Sequence, residues 1–320
     1  MAPALGPVLR RSLDPDVSAL GAGWLAAAAL LNGSVVAAVA ISLAGAGVLT
    51  ARKLFLLVVG SRLGAAVVVL VGALDHLQRR GDSLPTSVGL GLLTFVVTHS
   101  IYLPVAVLGY LGLPWVRATV DLPGGGLATT ARPLASLGGP AAWLHSLLGG
   151  PATFAVAIAL FLASLRTVDR LAARVETERL ETRYLAVVDH PWRSFAVGLV
   201  ATALTTSVAV SVGIVVPLYN RGYLDREQMV PYLLGASLGT LTDSLLVAVV
   251  VGAPTGVLVV ALVLAVGTVL TLVAMVGQVP YGAGVGVLHD KVTTDWRWLA
   301  AFAVGVVGVP AALVATALLS

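Results

Sequence analysis

The sequence predicts an all-α integral membrane protein with an internal repeat, and three observations lead to this fold class. Of its 320 residues, 58% are hydrophobic and only 11% are charged, against about 25% charged residues in ordinary soluble domains. Several apolar stretches reach the ~20 residues that a helix needs to cross a hydrocarbon core, and none alternates like a barrel strand. The third observation is that interrupted apolar segments recur in both halves of the chain.

The first half of the chain is predicted to cover residues 1–165. Its elements are a hairpin at residues 17–49, a broken helix at 54–75, a span at 87–112, an external loop at 113–150 and a short span at 151–165. The hairpin is interrupted at Asn32, Gly33 and Ser34, residue types that favour helix ends over helix interiors. The broken helix is interrupted at "GSRLG", Gly60 to Gly64.

The second half, residues 166–320, is predicted to begin with a cytoplasmic helical linker. The linker covers residues 166–193. It is followed by a hairpin at 194–219, a broken helix at 229–252 and two spans at 254–280 and 297–318. Arginines and glutamates at three- and four-residue spacings in the linker predict a helix in water. By the positive-inside rule the arginine cluster of the linker lies in the cytoplasm, which places the loop 113–150 outside. The topology of residues 17–49 stays open, because a re-entrant hairpin there would leave Arg10, Arg11, Arg52 and Lys53 outside.

The two halves share a pattern of breaks. Ser34 corresponds to Ser207, and the G-x-x-L-G of Gly60 to Gly64 corresponds to that of Gly235 to Gly239. Small residues in membrane helices also serve close helix packing. A matched pair of interrupted segments, however, is typical of a transporter site built from discontinuous helices. Backbone groups freed at such breaks must face protein or a watery cavity, where N–H groups bind an anion and carbonyls a cation.

At these residues the chain resembles the type II sodium-dependent phosphate cotransporter family, whose two repeats each carry a QSSS-type signature in a re-entrant hairpin and a downstream G-[AS]-N-I-G-T-T element. The second copy follows the pattern at Ser207, Ser211, Pro217, Gly222, Pro231, Gly235, Gly239, Thr240 and Thr242. The first copy follows it more weakly. The resemblance implies two inverted-topology repeats, each with a re-entrant hairpin and a broken transmembrane helix. It also implies a multi-pass protein of the cell membrane that moves inorganic phosphate, or a related oxyanion, with sodium.

The chain departs from the family pattern at the residues that matter for ligands. The family glutamine is replaced by Asn32 and Thr205, and the triple serine is reduced to Gly33-Ser34-Val35 and Thr206-Ser207-Val208. The asparagine of the second element becomes Arg62 in the first copy and Ser237 in the second, and its last threonine becomes Asp243 in the second copy. These changes leave fewer oxygen ligands, so the substrate and the coupling ion stay open.

Arg62 and Asp243 are the two charged residues within the downstream breaks. A charge at the centre of a bilayer costs at least ~2.5 kcal/mol on insertion scales, so it usually faces the bundle interior and has a partner. We therefore expect the two side chains to approach each other across the repeats. The guanidinium then either helps to hold an oxyanion or fills the position of a cation; the alternative is a fixed ion pair that joins the halves. If the guanidinium fills the position of a cation, transport would be proton-coupled through Asp243, or uncoupled.

The sequence predicts a set of substrate- and ion-binding residues around these breaks. They are Asn32, Gly33, Ser34, Gly60, Ser61, Arg62, Gly64, Thr205, Thr206, Ser207, Ser211, Gly235, Ser237, Gly239, Thr240, Thr242 and Asp243. No cofactor is expected beyond a possible bound Na⁺. The expected partners are inorganic phosphate or a similar anion, Na⁺ or H⁺ and the lipid bilayer, with no nucleic acid.

Two other classes of function are alternatives to transport. A membrane-embedded enzyme that acts on a lipid head group needs clustered carboxylates or histidines, whereas Asp243 is the single carboxylate in a break, so no enzyme is expected. A non-transporting protein of the same fold, with a regulatory or scaffolding role, stays open because of the lost serines. Among the histidines, His99 lies mid-span, where a hydrogen-bonded core residue is expected rather than a proton relay.

Overall fold

The computed structural model describes residues 13–30, 32–80, 84–120, 190–206 and 224–319, with short runs and single residues between 143 and 167 and between 208 and 219. In these parts of the chain every regular element is a helix, which confirms the all-α prediction. The predicted loop 113–150 and linker 166–193 lie largely outside the described residues. The division into two repeats at residues 165 and 166 stays a prediction.

Ten helices have defined bounds in the described parts of the chain. In chain order they are α1 Asp16–Leu30, α2 Gly33–Gly45, α3 Ala51–Arg80, α4 Leu84–Thr119, α5 Pro191–Thr205, α6 Arg226–Gly239, α7 Leu241–Val250, α8 Pro254–Val276, α9 Gln278–Thr294 and α10 Trp296–Leu319. Among them, α1 packs most extensively on α3, α5 packs on α6, and α4 packs on α3 and α8.

Four helical stretches of the described chain are long and apolar enough to cross a membrane. They are Gly91–Thr119, Arg226–Val250, Pro254–Val276 and Trp296–Leu318. The most apolar part of α4 is 72% buried, whereas that of α10 is 6% buried. A helix as apolar as α10 with its side chains exposed needs an apolar medium around it. This arrangement supports a membrane protein with α4 near the centre and α10 at the periphery.

The predicted interruption of residues 17–49 is confirmed as a change of helix. Asn32 has extended dihedral angles (φ −157°, ψ 114°), and its Oδ1 accepts a hydrogen bond from the backbone N of Val35 at 3.0 Å. This is the N-cap arrangement, which satisfies one of the free N–H groups at the start of α2. In the second half, α5 is followed by its C-cap residue Thr206, which has left-handed dihedral angles (φ 53°, ψ 17°). Both predicted hairpins therefore contain a helix end at the expected place.

The predicted break at Gly60 to Gly64 is wrong, because α3 runs without interruption from Ala51 to Arg80. Its glycines face the backbone of another helix instead of ending their own. In the second half the helix is interrupted, with Thr240 as a single turn residue between α6 and α7. The dihedral angles of Thr240 are close to helical (φ −66°, ψ −18°), so the interruption is local.

The predicted start of the external loop at residue 113 is also wrong. Helix α4 continues to Thr119 despite Pro104 and Pro114 in its interior. Leu113 is almost fully buried, and this packing overrides the glycine and proline signals that favoured a loop. Residues 278–294, which the prediction largely placed between two spans, form helix α9.

Glycines bring α1 against α3 and α5 against α6 in the same way. In both pairs, a Cβ atom added at the glycine would lie closer than 3.0 Å to a backbone carbonyl oxygen of the partner helix. The contacts are Gly23 with Leu57, Gly60 with Leu20 and Gly64 with Trp24 in the first pair, and Gly198 with Tyr232, Gly235 with Phe195 and Gly239 with Leu199 in the second. Each residue of the second set lies the same number of residues after its counterpart in the first set. The internal similarity thus corresponds to a repeated helix contact of the small-residue kind, whereas the inverted orientation of the repeats stays a prediction.

Candidate functional site

A small cavity lies where α3, α4 and α6 meet. We call it the Arg62 cavity, and it is lined by Arg62, Ala65, Ala66, Thr98, Tyr102, Val208, Ser237 and Thr240. The space open to water is about 10 Å³, which is about the room that one water molecule needs. A tetrahedral oxyanion is several times larger than water. An oxyanion would therefore have to widen the cavity.

Arg62 provides the positive charge of this cavity. It lies in the middle of α3, its side chain is buried, and its guanidinium reaches the interruption between α6 and α7. Nη1 donates to the carbonyl oxygen of Thr240 at 3.0 Å, and Nη2 donates to Oγ of Ser244 at 3.3 Å. Nε lies 3.4 Å from Oγ of the neighbouring Ser61. Arg62 is thus hydrogen-bonded across the two halves of the chain.

The expected approach of Arg62 and Asp243 is confirmed. Nη1 of Arg62 and Oδ1 of Asp243 are 4.0 Å apart, and their side chains are 3% and 12% exposed. Ser244 connects them, because its Oγ accepts from Arg62 and donates to Oδ1 of Asp243 at 3.0 Å. The role of these two residues in binding an ion stays a prediction.

Helix α4 adds two hydroxyl groups that the sequence analysis missed. Tyr102 donates from its hydroxyl to the carbonyl oxygen of Ser237 at 2.7 Å, and Oγ1 of Thr98 lies 3.5 Å from Oγ of Ser237. Thr94, Thr98 and Tyr102 are all buried and follow one another at four-residue spacing, so they share one helix face. That spacing of polar residues within an apolar span was the available signal.

Residues beside both hairpin interruptions reach the walls of the Arg62 cavity. A Cβ added at Gly33 would lie 2.5 Å from the carbonyl oxygen of Ser61 and 3.0 Å from Cβ of Ala65. Val208, two residues after Thr206, lines the cavity itself. The second interruption therefore borders the cavity, whereas the first packs behind the wall that Ala65 forms.

Several predicted binding residues make other contacts. Asn32 caps α2, and Ser34 is buried on the same helix. Gly60, Gly64, Gly235 and Gly239 form the helix contacts described above.

Several hydroxyl residues predicted in the second copy also lie away from the cavity. Thr205 donates to the carbonyl oxygen of Ala201, Ser211 pairs with the hydroxyl of Tyr232, and Thr242 is exposed. Ser207 lies outside the described residues. Of the predicted residues, the cavity is lined by Arg62, Ser237 and Thr240. Ser61 and Asp243 lie beside the guanidinium of Arg62 without lining the cavity.

The oxygen atoms at the interruption are already in use as hydrogen-bond acceptors. The carbonyl oxygen of Ser237 accepts from Tyr102 and from Oγ1 of Thr240 at 2.8 Å, and that of Thr240 accepts from Arg62.

In the described part of the chain, no group of three or more His, Asp or Glu residues is placed to hold a metal ion. His99 packs against Phe95 and Trp24, and its Nδ1 lies 2.8 Å from the carbonyl oxygen of Phe95. It therefore belongs to the core rather than to the cavity.

Comparisons with known proteins agree with the resemblance seen in the sequence. The family model described as Na+/Pi-cotransporter matches residues 160–289, which confirms the resemblance over that part of the chain. "Uncharacterized protein YqeW" from Bacillus subtilis (strain 168) is 25% identical over 97 residues, which cover 30% of this chain and 32% of that relative. The match thus spans about a third of the relative's length, and its name assigns no activity. No solved structure matches the chain.

Proposed function

We propose that this chain, as a divergent member of the Na+/Pi-cotransporter family, is a secondary active transporter that moves inorganic phosphate or a related oxyanion across the cell membrane. Its helices cross the membrane several times, and the Arg62 cavity is the substrate site. The match of the family model to residues 160–289 supports phosphate as the substrate class. It favours transport over catalysis, because the family is named for cotransport.

The observation that carries this proposal is the buried guanidinium of Arg62 at the junction of the two halves. Its Nη1 and Nη2 contact Thr240 and Ser244 of the second half, while Arg62 itself belongs to the first half. Guanidinium groups bind oxyanions through paired, charge-assisted hydrogen bonds. The hydroxyls of Thr98, Tyr102 and Thr240 line the same cavity. Those of Tyr102 and Thr240 donate to the carbonyl oxygen of Ser237 in this structure, and we propose that they turn to the oxygens of phosphate when the cavity widens.

The small size of the cavity is compatible with an alternating-access cycle. The cavity has room for about one water molecule, and Arg62 is hydrogen-bonded across the halves. We propose that movement of one repeat against the other separates Arg62 from Thr240 and widens the cavity. Such rocking around a site at the repeat interface is the common mode of transporters built from repeats.

Sodium is the coupling ion that the family match favours. A second candidate, a proton-coupled or uncoupled oxyanion transporter, is favoured by the contact between Arg62 and the carbonyl oxygen of Thr240. A carbonyl at a helix interruption is a typical cation ligand, and here it accepts from a fixed cation. In this second candidate the guanidinium takes the position of a sodium ion.

The test is uptake of radiolabelled phosphate by proteoliposomes that contain the purified chain, with an inward gradient of Na⁺, of H⁺ or of neither. Sodium-stimulated uptake is the expected result, and uptake without Na⁺ supports the second candidate. Absence of uptake under every gradient contradicts phosphate transport and favours a non-transporting protein of the same fold.

Arg62→Lys provides the matched variant for the same assay. It keeps the charge but loses the planar fork, so uptake is expected to fall by about tenfold or more. Arg52→Ala is the control, because Arg52 lies at the start of the same helix and packs over the ring of Tyr110, 5.7 Å from its centroid. Uptake by this variant is expected to equal that of the unmodified chain.

A further inference from the structure

The carboxylate of Asp243 is incompletely hydrogen-bonded where it stands. Oδ1 accepts from Oγ of Ser244 and lies 4.0 Å from Nη1 of Arg62, which is outside hydrogen-bond distance. Oδ2 is buried and has no hydrogen-bond partner among the residues that the structure describes. A buried, charged oxygen without a partner is costly. Asp243 is therefore held beside Arg62 by charge more than by direct hydrogen bonds.

Arg62, in turn, donates its hydrogen bonds to uncharged acceptors. These are Oγ of Ser61, the carbonyl oxygen of Thr240 and Oγ of Ser244. In the described part of the chain, Asp243 is the one carboxylate within ion-pair distance of the guanidinium. Asp243 thus supplies the counter-charge that a buried guanidinium needs.

Arg62 also lines the Arg62 cavity, whereas Asp243 is not among the residues that line this cavity. An oxyanion in the cavity would therefore bring a second negative charge to Arg62. In a site of low dielectric constant, that anion and the carboxylate repel each other and compete for one cation.

We propose that Asp243 is an internal competitor of the transported oxyanion. With the cavity closed, its carboxylate neutralises Arg62; when an oxyanion enters, the anion takes over this role and the contact of Asp243 with Arg62 weakens. This inference rests on the proposed function and adds to it that Asp243 sets the affinity for the oxyanion. Ser244 positions the competitor, because it joins the two charged groups.

The test is equilibrium binding of radiolabelled inorganic phosphate to the full chain purified in detergent, at one pH and in saturating NaCl. Asp243→Asn keeps the shape of the side chain and removes its charge, and it is expected to bind phosphate about tenfold more tightly than the unmodified chain. Asp243→Glu keeps the competing charge and is expected to stay within about threefold of the original affinity. Asp290→Asn is the control for charge, because Asp290 pairs with Arg226 away from the cavity.

Removing the counter-charge leaves Arg62 unneutralised, so the folding of Asp243→Asn is checked by thermal unfolding with and without phosphate. A larger rise in melting temperature on adding phosphate is expected for this variant than for the unmodified chain. If Asp243→Asn does not fold, Ser244→Ala replaces it. That variant lacks the hydroxyl between Asp243 and Arg62, and its affinity is expected to rise by about threefold.

The outcomes separate this inference from the proposed function. Tighter binding by Asp243→Asn, or by Ser244→Ala, with unchanged binding by Asp290→Asn supports the internal competitor. If the unmodified chain binds phosphate, and both Asp243→Asn and Ser244→Ala bind it equally well or more weakly, the internal competitor is overturned. The proposed function then remains. Absence of phosphate binding in the unmodified chain and in every variant overturns both.

Discussion

Tyr102 and Ser237 are joined by a hydrogen bond of 2.7 Å from the tyrosine hydroxyl to the serine carbonyl oxygen. Tyr102 is almost fully buried in α4, and Ser237 lies one turn before the interruption between α6 and α7. The contact fixes the end of α6 to the central helix. It also keeps the tyrosine hydroxyl on the wall of the Arg62 cavity, within reach of a bound anion.

Tyr102→Phe is expected to lower the affinity for phosphate by roughly threefold to tenfold, because it removes the hydroxyl that we propose turns from Ser237 to the bound anion. The loss of stability is expected to be about 1 kcal/mol, because the carbonyl oxygen of Ser237 keeps its second hydrogen bond from Thr240. Phosphate binding and thermal unfolding measure the two effects. Tyr110→Phe is the matched control on the same helix, where the hydroxyl donates to Asp16 away from the cavity. Equal phosphate affinities of the two variants would remove Tyr102 from the proposed site.

The repeated glycine contacts predict equal effects at equivalent positions. Gly60→Ala and Gly235→Ala each place a Cβ against a backbone carbonyl oxygen, which has no rotamer by which to move away. We expect each to lose about 1 to 3 kcal/mol through forced separation of the helices.

Gly282→Ala and Gly305→Ala are the controls for these variants. Both glycines lie inside helices, and a Cβ added there meets nothing within 4 Å. Alanine has the higher helix propensity, so these two variants are expected to gain up to about 1 kcal/mol. Thermal unfolding in detergent compares all four. A destabilised Gly60→Ala beside a neutral Gly235→Ala would argue against an equivalence of the two helix pairs.

Part of the candidate site followed from the sequence because it depends on charge. A guanidinium and a carboxylate within apolar segments each need a partner, and this requirement alone predicted that Arg62 and Asp243 approach each other. The helix ends at Asn32 and Thr206 were likewise predictable, since their causes are local: the side-chain oxygens of Asn32 and Ser34 compete with helical backbone bonds, as do those near Thr206.

The rest depends on packing between distant segments. The sequence "GSRLG" fits a broken helix and a closely packed helix equally well; the backbone of α1 beside Gly60 and Gly64 decides between them. The hydroxyls of Thr98 and Tyr102 gave no charge signal, and their importance comes from the position of Ser237 on another helix. Such contacts arise from tertiary structure, which local patterns do not encode.

The end of α5 predicts a gain in stability. Thr206 has a positive φ of 53°, which costs a β-branched residue about 1 to 2 kcal/mol and glycine almost nothing. Thr206→Gly is therefore expected to gain up to about 1 kcal/mol after the extra entropy of an unfolded glycine is subtracted. Thr205→Gly, one residue earlier and still in the helix, is the control and is expected to lose up to about 1 kcal/mol. Thermal unfolding that ranks the two variants in the opposite order would contradict the left-handed conformation at Thr206.

The contact between α6 and α9 predicts a dependence of stability on pH. Asp290 lies on α9, outside the four stretches able to cross a membrane. Hydrogen bonds from Arg226, and then from His289, lower the pKa of Asp290 below its ordinary value. A carboxyl group with a lowered pKa in the folded state stabilises the fold above its ordinary pKa, about 4, and this contribution disappears as the pH falls through the lowered value.

The melting temperature of Asp290→Asn is accordingly expected to lie below that of the unmodified chain at pH 7, and the difference is expected to shrink as the pH falls below about 4 and through the lowered pKa of Asp290. Because the side chains of Arg226 and Asp290 are 34% and 57% exposed, solvent screens the pair, and the difference at pH 7 is expected not to exceed about 2 °C. Asp295→Asn is the control, since it removes a carboxylate at the end of α9 and leaves Arg226 paired. A difference between Asp290→Asn and the unmodified chain that does not shrink as the pH is lowered would mean that packing, rather than charge, accounts for the effect.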